Sequence, residues 1–446
     1  MLVTQAYRFA LDPTPRQLRA LWSHCGAARK AYNWALGLVR QRLDQRADGL
    51  ELEVPWTLPA LRREWNRAKD EVAPWWRENS KEAYNSGLDA LARGLANWAD
   101  SKHGRRKGRP VGFPTFKAKH RTRPTCRFWT GAIRVEPDRH HVTLPRIGRL
   151  KTHESTRKLA RRLEAGTARI LSATITCTAD RWYVSFTVEV QRCVLEKRPG
   201  GAVVGMDVGI RHLAVLSTGQ VVPNPRPLDH AQRRLRRFSR QLARRHGPRS
   251  PDGSRRTSSA GWRQTHRRLA RMHARVANLR RDGLHKLTTE LASNHGTVVV
   301  EHLNVASMLG NRRLARRIVD AGWGELRRQL AYKTAWAGTR LVQADTFYPS
   351  SRTCSGCGHV KAKLPLSERA YGCEQCGLVM DRDLNAARNL AQLVAGIEAV
   401  ERAPHMVGAV AGSGPETRNA RGADTRPGLA GQTATNREAG TGCRPG

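Results

Sequence analysis

The hydrophobic pattern of the first half of the chain changes twice. A strand-like start at residues 2–11 gives way to apolar residues at helical spacing, and we predict that residues 12–100 are mostly helical after a cap at Thr14. β-Branched runs at residues 133–150 and 170–190 predict strands, the second of them a hairpin. The first half is therefore predicted to combine a helical region with a small β-barrel or sheet.

The second half of the chain has an α/β pattern. A linker at residues 196–201 contains Pro and Gly, and we predict a domain boundary there. Apolar strands are predicted at residues 202–207 and 297–300, on either side of a long helical stretch at residues 229–294. Residues 403–446 are rich in Gly, Ala, Thr and Arg and lack aromatic side chains, so we predict that they are disordered.

The charge of the chain points to a class of partner. Its 446 residues contain 79 Lys and Arg against 37 Asp and Glu, a formal net charge of +42. A long polyanion such as DNA or RNA is the usual partner of so basic a protein, with an acidic membrane surface as the alternative. Between Arg233 and Arg281 lie 17 arginines and a single acid, Asp252, which favours nucleic-acid binding unless part of the segment is an unstructured tether.

A second basic stretch, residues 102–127, is broken by Gly and Pro and cannot form a regular helix. Its basic side chains are interleaved with aromatic ones, as in the run from Gly112 through Phe113 and Phe116 to Lys117. Such a stretch suits contacts to a phosphate backbone with base stacking. A solvated charged loop is the alternative that the residues leave open.

The distribution of apolar residues and cysteines bears on cellular location. No run of 18 or more apolar residues occurs, and the first eight residues lack the apolar core of a secretory signal. Nine cysteines are too few for a disulfide scaffold of this size. We therefore expect a protein of the reducing cytoplasm, without a membrane partner.

Four of the cysteines form two CxxC pairs separated by 15 residues, and a glycine follows each pair. Two intervening residues allow both thiolates of a pair to reach one ion at ~2.3 Å, and the glycines permit the tight turns. The spacing predicts a closed tetrahedral zinc site with a structural role. The alternatives are coincidental reduced thiols or a dithiol redox couple. The four residues are Cys354, Cys357, Cys373 and Cys376.

Three carboxylates stand at predicted element ends in a chain that is poor in acids. Asp207 and Glu301 each close an apolar strand, and Asp383 opens a predicted helix. Carboxylates that converge in this way can hold two Mg²⁺ ions about 4 Å apart, which activate water for attack on a phosphodiester. Taken singly, each acid could equally be a solvated strand end or a helix cap.

The order of these motifs resembles the TnpB (OrfB) family, the RNA-guided nucleases encoded by insertion sequences and related to the type V CRISPR effectors. The resemblance spans most of residues 1–395 and leaves only the tail outside. It rests on the two cysteine pairs together with residues 7–17, 112–117, 205–210, 298–304 and 381–389.

The resemblance implies an α+β multidomain fold. A RuvC-like nuclease domain of RNase H fold would carry an inserted zinc ribbon and follow a wedge β-barrel with a helical recognition insertion. The expected boundaries are 1–11 and 101–195 for the wedge barrel, 12–100 for the helical recognition region, 202–350 and 378–395 for the nuclease, 351–377 for the zinc ribbon and 403–446 for the disordered tail.

The resemblance also implies roles for individual residues. Asp207, Glu301 and Asp383 would be the metal-binding catalytic acids, and the four cysteines would bind structural zinc. Asp381 is the nearest competitor for the third acid, but the family motif has the acid two residues before the asparagine, here Asn385.

The implied function is cleavage of double-stranded target DNA beside a short motif, directed by a guide RNA transcribed from the end of the element itself. The implied cofactors are two catalytic Mg²⁺ ions, one structural Zn²⁺ ion and the guide RNA. We expect a monomer, in a bacterial or archaeal cytoplasm and associated with the nucleoid. A transposase that also joins DNA and a non-catalytic nucleic-acid-binding regulator are the alternatives, and the combined motifs favour the guided endonuclease.

Overall fold

The computed structural model describes residues 1–119, 121–192, 202–245, 259–365 and 367–402, with side chains described up to residue 394. The predicted linker at 196–201, the predicted disordered tail at 403–446 and Asp252 lie outside the described residues. The chain has a mixed α+β architecture, and Met1–Glu398 forms one compact unit.

The first part of the unit is built on an antiparallel sheet of seven strands. Their order across the sheet is β2-β6-β7-β1-β5-β4-β3, and helix α4 (Arg157–Glu164) follows β5 along the chain. The strands are β1 (Leu2–Asp12), β2 (Thr125–Phe128), β3 (Arg134–Val135), β4 (His141–Leu144), β5 (Gly148–Thr152), β6 (Ala168–Thr178) and β7 (Arg181–Gln191).

The predicted hairpin at residues 170–190 is confirmed, because β6 and β7 pair over most of their length. Its turn is formed by Ala179 and Asp180, whose φ angles of 52° and 67° are left-handed. Two successive left-handed residues give a tight turn whose twist matches that of the paired strands. Strands β6 and β7 therefore stay paired up to the turn.

Three helices follow β1 and pack on this sheet: α1 (Pro15–Ala47), α2 (Leu58–Val72) and α3 (Lys81–Lys102), with a 3₁₀ turn at Pro74–Glu78. The predicted cap of α1 is confirmed: the backbone N–H of Gln17 donates to Thr14 Oγ1 at 3.4 Å, and the backbone N–H of Thr14 donates to Gln17 Oε1 at 3.0 Å. Helix α3 crosses α1 so closely that a Cβ at Gly87 would lie 2.1 Å from the carbonyl oxygen of Ala28.

The second part is built on a mixed sheet of five strands in the order β10-β9-β8-β11-β12. Strands β8, β11 and β12 are parallel to one another, whereas β9 runs antiparallel to both of its neighbours, β8 and β10. The strands are β8 (Val203–Asp207), β9 (His212–Leu216), β10 (Val221–Pro223), β11 (Thr297–Val300) and β12 (Arg340–Gln343).

Six helices accompany this sheet: α5 (Pro227–Arg244), α6 (Ala260–Asn294), α7 (Val305–Met308), α8 (Ala315–Ala321), α9 (Trp323–Ala337) and α10 (Arg382–Arg402). The helical stretch predicted for residues 229–294 corresponds to α5, which begins two residues earlier, and to α6; residues 246–258 between them lie outside the described residues. A small hairpin of β13 (Ala370–Gly372) and β14 (Val379–Asp381) stands between β12 and α10.

Strand β11 shows how the layers are arranged, because it is buried on both faces. Val298 and Val300 belong to the core formed with α6, α8 and α9. Val299 belongs to a separate core formed with Leu390 and Val394 of α10. The mixed sheet therefore lies between α10 on one face and α6, α8 and α9 on the other. Over the described residues, no helix combines the length and the apolarity needed to cross a membrane.

Candidate active site and zinc site

The register of the two central strands brings Asp207 and Glu301 together. Met206 of β8 pairs with Val300 of β11, and each acid follows directly after this pair. Neighbouring strands lie about 4.8 Å apart, and residues at the same position of parallel strands face the same side of the sheet. The two carboxylates therefore emerge side by side at the carboxyl ends of β8 and β11.

Helix α10 supplies the third acid through an unusually close contact with β8. A Cβ atom at Gly205 would lie 1.9 Å from the carbonyl oxygen of Ala387 and 2.6 Å from the backbone nitrogen of Ala391. Only glycine at this position lets the helix backbone rest directly on the strand. Asp383 is four residues before Ala387 and so lies on the same face of α10, one turn towards Asp207.

The electrostatics of Asp207 report this convergence. Burial raises its pKa well above the ordinary value, and the Glu301 and Asp383 carboxylates raise it further. The Arg382 guanidinium opposes the shift, while Asp381 adds a smaller increase. A buried carboxylate facing two others is unfavourable when charged, and a bound cation would relieve that repulsion.

The structure distinguishes the two acids that open α10. Asp381 Oδ1 accepts hydrogen bonds from the backbone N–H groups of Asp383 at 2.9 Å and Leu384 at 3.1 Å, which makes Asp381 the N-terminal cap of the helix. The Asp383 carboxylate raises the pKa of Asp207 more than the Asp381 carboxylate does. The arrangement agrees with the choice of Asp383 as the third metal-binding acid, which stays a prediction.

The loop after β12 holds Glu301 in place. Ser350 Oγ donates a hydrogen bond to Glu301 Oε1, and His302 Nδ1 lies 3.0 Å from Thr346 Oγ1. Ser350 was not among the residues predicted from the sequence. A serine four residues before a CxxC pair forms no recognisable motif, and only the fold brings it to the carboxylate.

Two asparagines join α10 to the segment that enters the cysteine pairs. Asn385 and Asn389 are buried, and their Nδ2 atoms each donate to the carbonyl oxygen of Thr353 at 2.6 Å. Asn389 also donates to the Ser350 carbonyl at 2.7 Å, and Asn385 Oδ1 accepts from the Ser355 N–H at 2.9 Å. From the sequence, Asn385 served only to locate the acid, and Asn389 was only the last residue of the motif at 381–389. Their spacing of four on an otherwise apolar helix face was the available signal.

The four cysteines come together around one point. Their sulfur atoms all lie within 4.8 Å of one another, with Cys354 and Cys376 Sγ 3.6 Å apart and Cys357 and Cys373 Sγ also 3.6 Å apart. Four sulfurs at ~2.3 Å from a zinc ion in a tetrahedron would be about 3.8 Å apart. No other group of three or more potential metal ligands this close occurs in the described ranges, and the three acids lie farther apart.

The turns that carry the cysteines have the geometry expected of zinc knuckles. Gly358 and Gly377 adopt φ angles of 78° and 72°, and their N–H groups donate back to the carbonyls of Cys354 and Cys373. Hydrogen bonds from the backbone N–H groups of Cys376 and Gln375 and from neighbouring thiols lower the pKa of the Cys373 thiol to about 6, whereas burial and hydrogen bonds with the surrounding thiols raise the pKa of Cys357. The cluster could therefore hold a zinc ion in the predicted way.

Comparison with known proteins relates the chain to mobile-element proteins over its whole length. Family models match residues 185–312 ("Probable transposase"), 323–390 ("Cas12f1-like, TNB domain") and 1–48 ("Helix-turn-helix domain"). A protein of Mycobacterium tuberculosis H37Rv is 41% identical over 99% of this chain and 96% of its own length. The chain belongs to the TnpB (OrfB) family.

Other TnpB-family relatives are more distant. A Streptomyces pristinaespiralis protein is 33% identical over 89% of this chain and 90% of its own length, and Escherichia coli InsQ is 28% identical over 86% and 91%. These relatives and the mycobacterial one carry the name "Putative RNA-guided DNA endonuclease". A solved Cas12f1–sgRNA–target DNA complex matches with a TM-score of 0.48 and 12% identity over 87% of this chain and 99% of that chain. The helix-turn-helix match falls on β1 and α1, which form a strand and one long helix.

The arginine-rich region of this TnpB-family chain presents an unpaired basic face. Five arginines of α5 recur at helical spacing along one side of the helix. Within the described part of the chain, none of the five has a carboxylate within ion-pair distance. They are Arg233, Arg236, Arg237, Arg240 and Arg244.

Proposed function

We propose that this chain is an RNA-guided DNA endonuclease of a transposable element, cleaving target DNA beside a short adjacent motif by two-metal phosphodiester hydrolysis. The observation that carries the proposal is the convergence of Asp207, Glu301 and Asp383 at the carboxyl ends of β8 and β11. Its relatives over the full chain, which carry the name of RNA-guided DNA endonucleases, support it. They favour neither the joining transposase nor the non-catalytic regulator.

The topology supports a RuvC-like nuclease domain. Numbered in chain order, the mixed sheet reads 3-2-1-4-5, with its first, third, fourth and fifth strands running in one direction and its second strand in the opposite direction. This is the strand order of the RNase H fold, and we assign the described parts of residues 202–350 and 378–395 to it. The insertion between β12 and α10 carries the four cysteines, which supports a zinc ribbon at residues 351–377.

The first sheet supports a wedge barrel with a helical recognition insertion. Its strands come from both sides of α1, α2 and α3, because β1 precedes these helices and β2 to β7 follow them. We propose that the described parts of residues 1–11 and 101–195 form the barrel and that residues 12–100 form the recognition region.

The donor set fits magnesium. Asp207 faces the Glu301 and Asp383 carboxylates, which raise its pKa together with burial, and the three carboxylates offer the oxygen ligands that Mg²⁺ prefers. Bound there, two Mg²⁺ ions would activate a water for in-line attack and stabilise the leaving 3′ oxygen. Ser350 would orient Glu301 through its hydrogen bond, and Asp381 would fix the start of α10 so that Asp383 faces the same point.

The partners follow from charge and family. A net charge of +42 exceeds what a short duplex contact needs and suits a chain that holds both a folded guide RNA and a guide–target heteroduplex. The five arginines on α5 would lie along a phosphate backbone. The basic face of α5 and the zinc cluster thus fit a ribonucleoprotein with a structural zinc.

The test is to express the chain with the DNA that flanks its own gene, purify it and sequence the nuclease-protected RNA. We expect a discrete RNA from the end of the element. A duplex matching its guide segment should then be cut in Mg²⁺, and Asp207→Ala should abolish cutting while the ribonucleoprotein still assembles. Heterogeneous RNA, or normal cutting by Asp207→Ala, would contradict the proposal.

A further inference from the structure

A basic cavity lies between α1, α3 and the edge of the first sheet at β2 and β6. None of these elements carries one of the three acids. The volume of the cavity is about 110 Å³. Five cationic side chains line it, and no carboxylate of the described residues does. We call it the basic pocket, and its cations are Arg29, Arg93, Lys117, Arg123 and Arg127.

The loop that supplies Lys117 is anchored through its backbone. Asn33 Nδ2 donates to the Lys117 carbonyl at 3.0 Å, and the Lys117 N–H donates to Asn33 Oδ1 at 2.8 Å. Arg40 also donates to the Pro114 carbonyl at 3.2 Å. The Lys117 ammonium group lies 3.5 Å from the centre of the Tyr32 ring, at the wall of the pocket. The backbone of Lys117 thus anchors the loop to α1 through Asn33, and its ammonium group adds a cation–π contact with Tyr32.

The pocket holds more positive charge than the carboxylates around it neutralise. Arg93 pairs with Asp89 at 2.6 Å, whereas the other four cations have no carboxylate within ion-pair distance in the part of the chain described. Burial lowers the pKa of Lys117 to about 8, and the Arg93 guanidinium contributes to the shift. Like charges that share a half-buried cavity repel one another, so a bound anion would stabilise the arrangement.

The neighbouring groups indicate which anion fits. The pocket also presents the hydroxyl groups of Ser86 and Thr122, which can donate to anionic oxygens. Phe116, directly before Lys117, is 53% exposed; the Arg40 guanidinium lies over its ring, 4.9 Å from the centre, so a base would stack on the opposite face. A phosphate with an adjoining base meets both the polar lining and the exposed ring.

We propose that the basic pocket binds one phosphodiester group of a nucleic-acid strand, with Phe116 placed to stack on a neighbouring base. The inference rests on the proposed function only for the class of partner. Four of the five pocket cations are arginines, and guanidinium groups suit a phosphodiester because they can donate two hydrogen bonds at once to phosphate oxygens.

The test compares two arginines of the same loop. Arg123→Gln removes a pocket cation, and Arg121→Gln removes an exposed one that does not line the pocket. Each variant and the wild-type chain are titrated with short single-stranded DNA and, separately, RNA over a range of salt concentrations. We expect Arg123→Gln to reduce the slope of log K against log salt by about 0.7, the loss of one phosphate contact, and Arg121→Gln to change it less.

A local measurement reports on the pocket itself. Acetylation of Lys117, measured by mass spectrometry against the exposed neighbour Lys119, should fall when oligonucleotide is added, and Arg123→Gln should weaken that protection. If Arg123→Gln changes the salt slope and the protection of Lys117 with DNA alone, the phosphate belongs to DNA; if it changes them with RNA alone, the phosphate belongs to RNA. Equal slopes for both variants, or equal protection of Lys117 and Lys119, would overturn the inference. Neither measurement requires guided cleavage, so failure of the proposed endonuclease function would be seen separately.

Discussion

The contact between Gly205 and α10 makes a sharp prediction for Gly205→Ala. The added methyl group would lie 1.9 Å from the carbonyl oxygen of Ala387, whereas ordinary contacts begin at 3.4 Å. Helix α10 would have to move by about 1.5 Å, because the clash is with backbone and no side chain can rotate away. Overpacking of this kind costs about 1–3 kcal/mol, and the loss should fall at the upper end of that range.

The same displacement should damage the proposed active site. Asp383 lies one turn from Ala387, so a shift of α10 moves this carboxylate relative to Asp207 and Glu301. A misplacement of about 1 Å can cost 100-fold in rate, and we expect at least that loss in single-turnover cleavage of a guide-matched duplex. Zinc content should be unchanged, because the cysteines keep their own turns.

The matched control is Gly283→Ala on α6. This glycine has open space around its Cβ position and an ordinary backbone conformation. Alanine in a helix interior is favoured by about 1 kcal/mol over glycine, so the control should unfold in urea at the same or a higher midpoint and cleave normally. If Gly205→Ala unfolds and cleaves like the wild-type chain, the close packing of α10 does not position the acids.

The remaining predictions concern the carboxylates and the cysteines. Asp207→Asn should raise the melting temperature in metal-free buffer. Because the pKa of Asp207 is higher in the folded chain than in the unfolded chain, this group destabilises the folded state once the pH rises above about 4, the usual pKa of Asp. The gain should vanish in melts at lower pH, and Mg²⁺ should stabilise the wild-type chain only; a gain that persists at low pH would contradict this cause. Asp383→Asn should abolish cleavage in the duplex assay whereas Asp381→Asn should retain it, because asparagine caps a helix as well as aspartate does; equal losses would refute the assignment. Serine at Cys354 and Cys357 should release zinc and destabilise the ribbon, and metal analysis with unchanged stoichiometric zinc would disprove the site.

Local features of this protein were determined by the sequence itself. The cap at Thr14, the turn at Ala179 and Asp180 and the two cysteine knuckles each depend on residues within a few positions of one another. Such features follow from backbone preferences and short-range hydrogen bonds, which do not depend on contacts with distant parts of the chain. The strand ends before Asp207 and Glu301 could likewise be read from apolar runs.

What the sequence could not supply was the meeting of distant segments. Three contacts join residues between 49 and more than 180 positions apart. They are the pairing of Met206 with Val300, the packing of α10 against Gly205 and the hydrogen bond from Ser350 to Glu301. The family motif favoured Asp383 over Asp381, and the fold adds that Asp381 caps the helix. Strand register and helix packing are set by the complete core, because each contact depends on all the others being made, and the tertiary structure alone decided them.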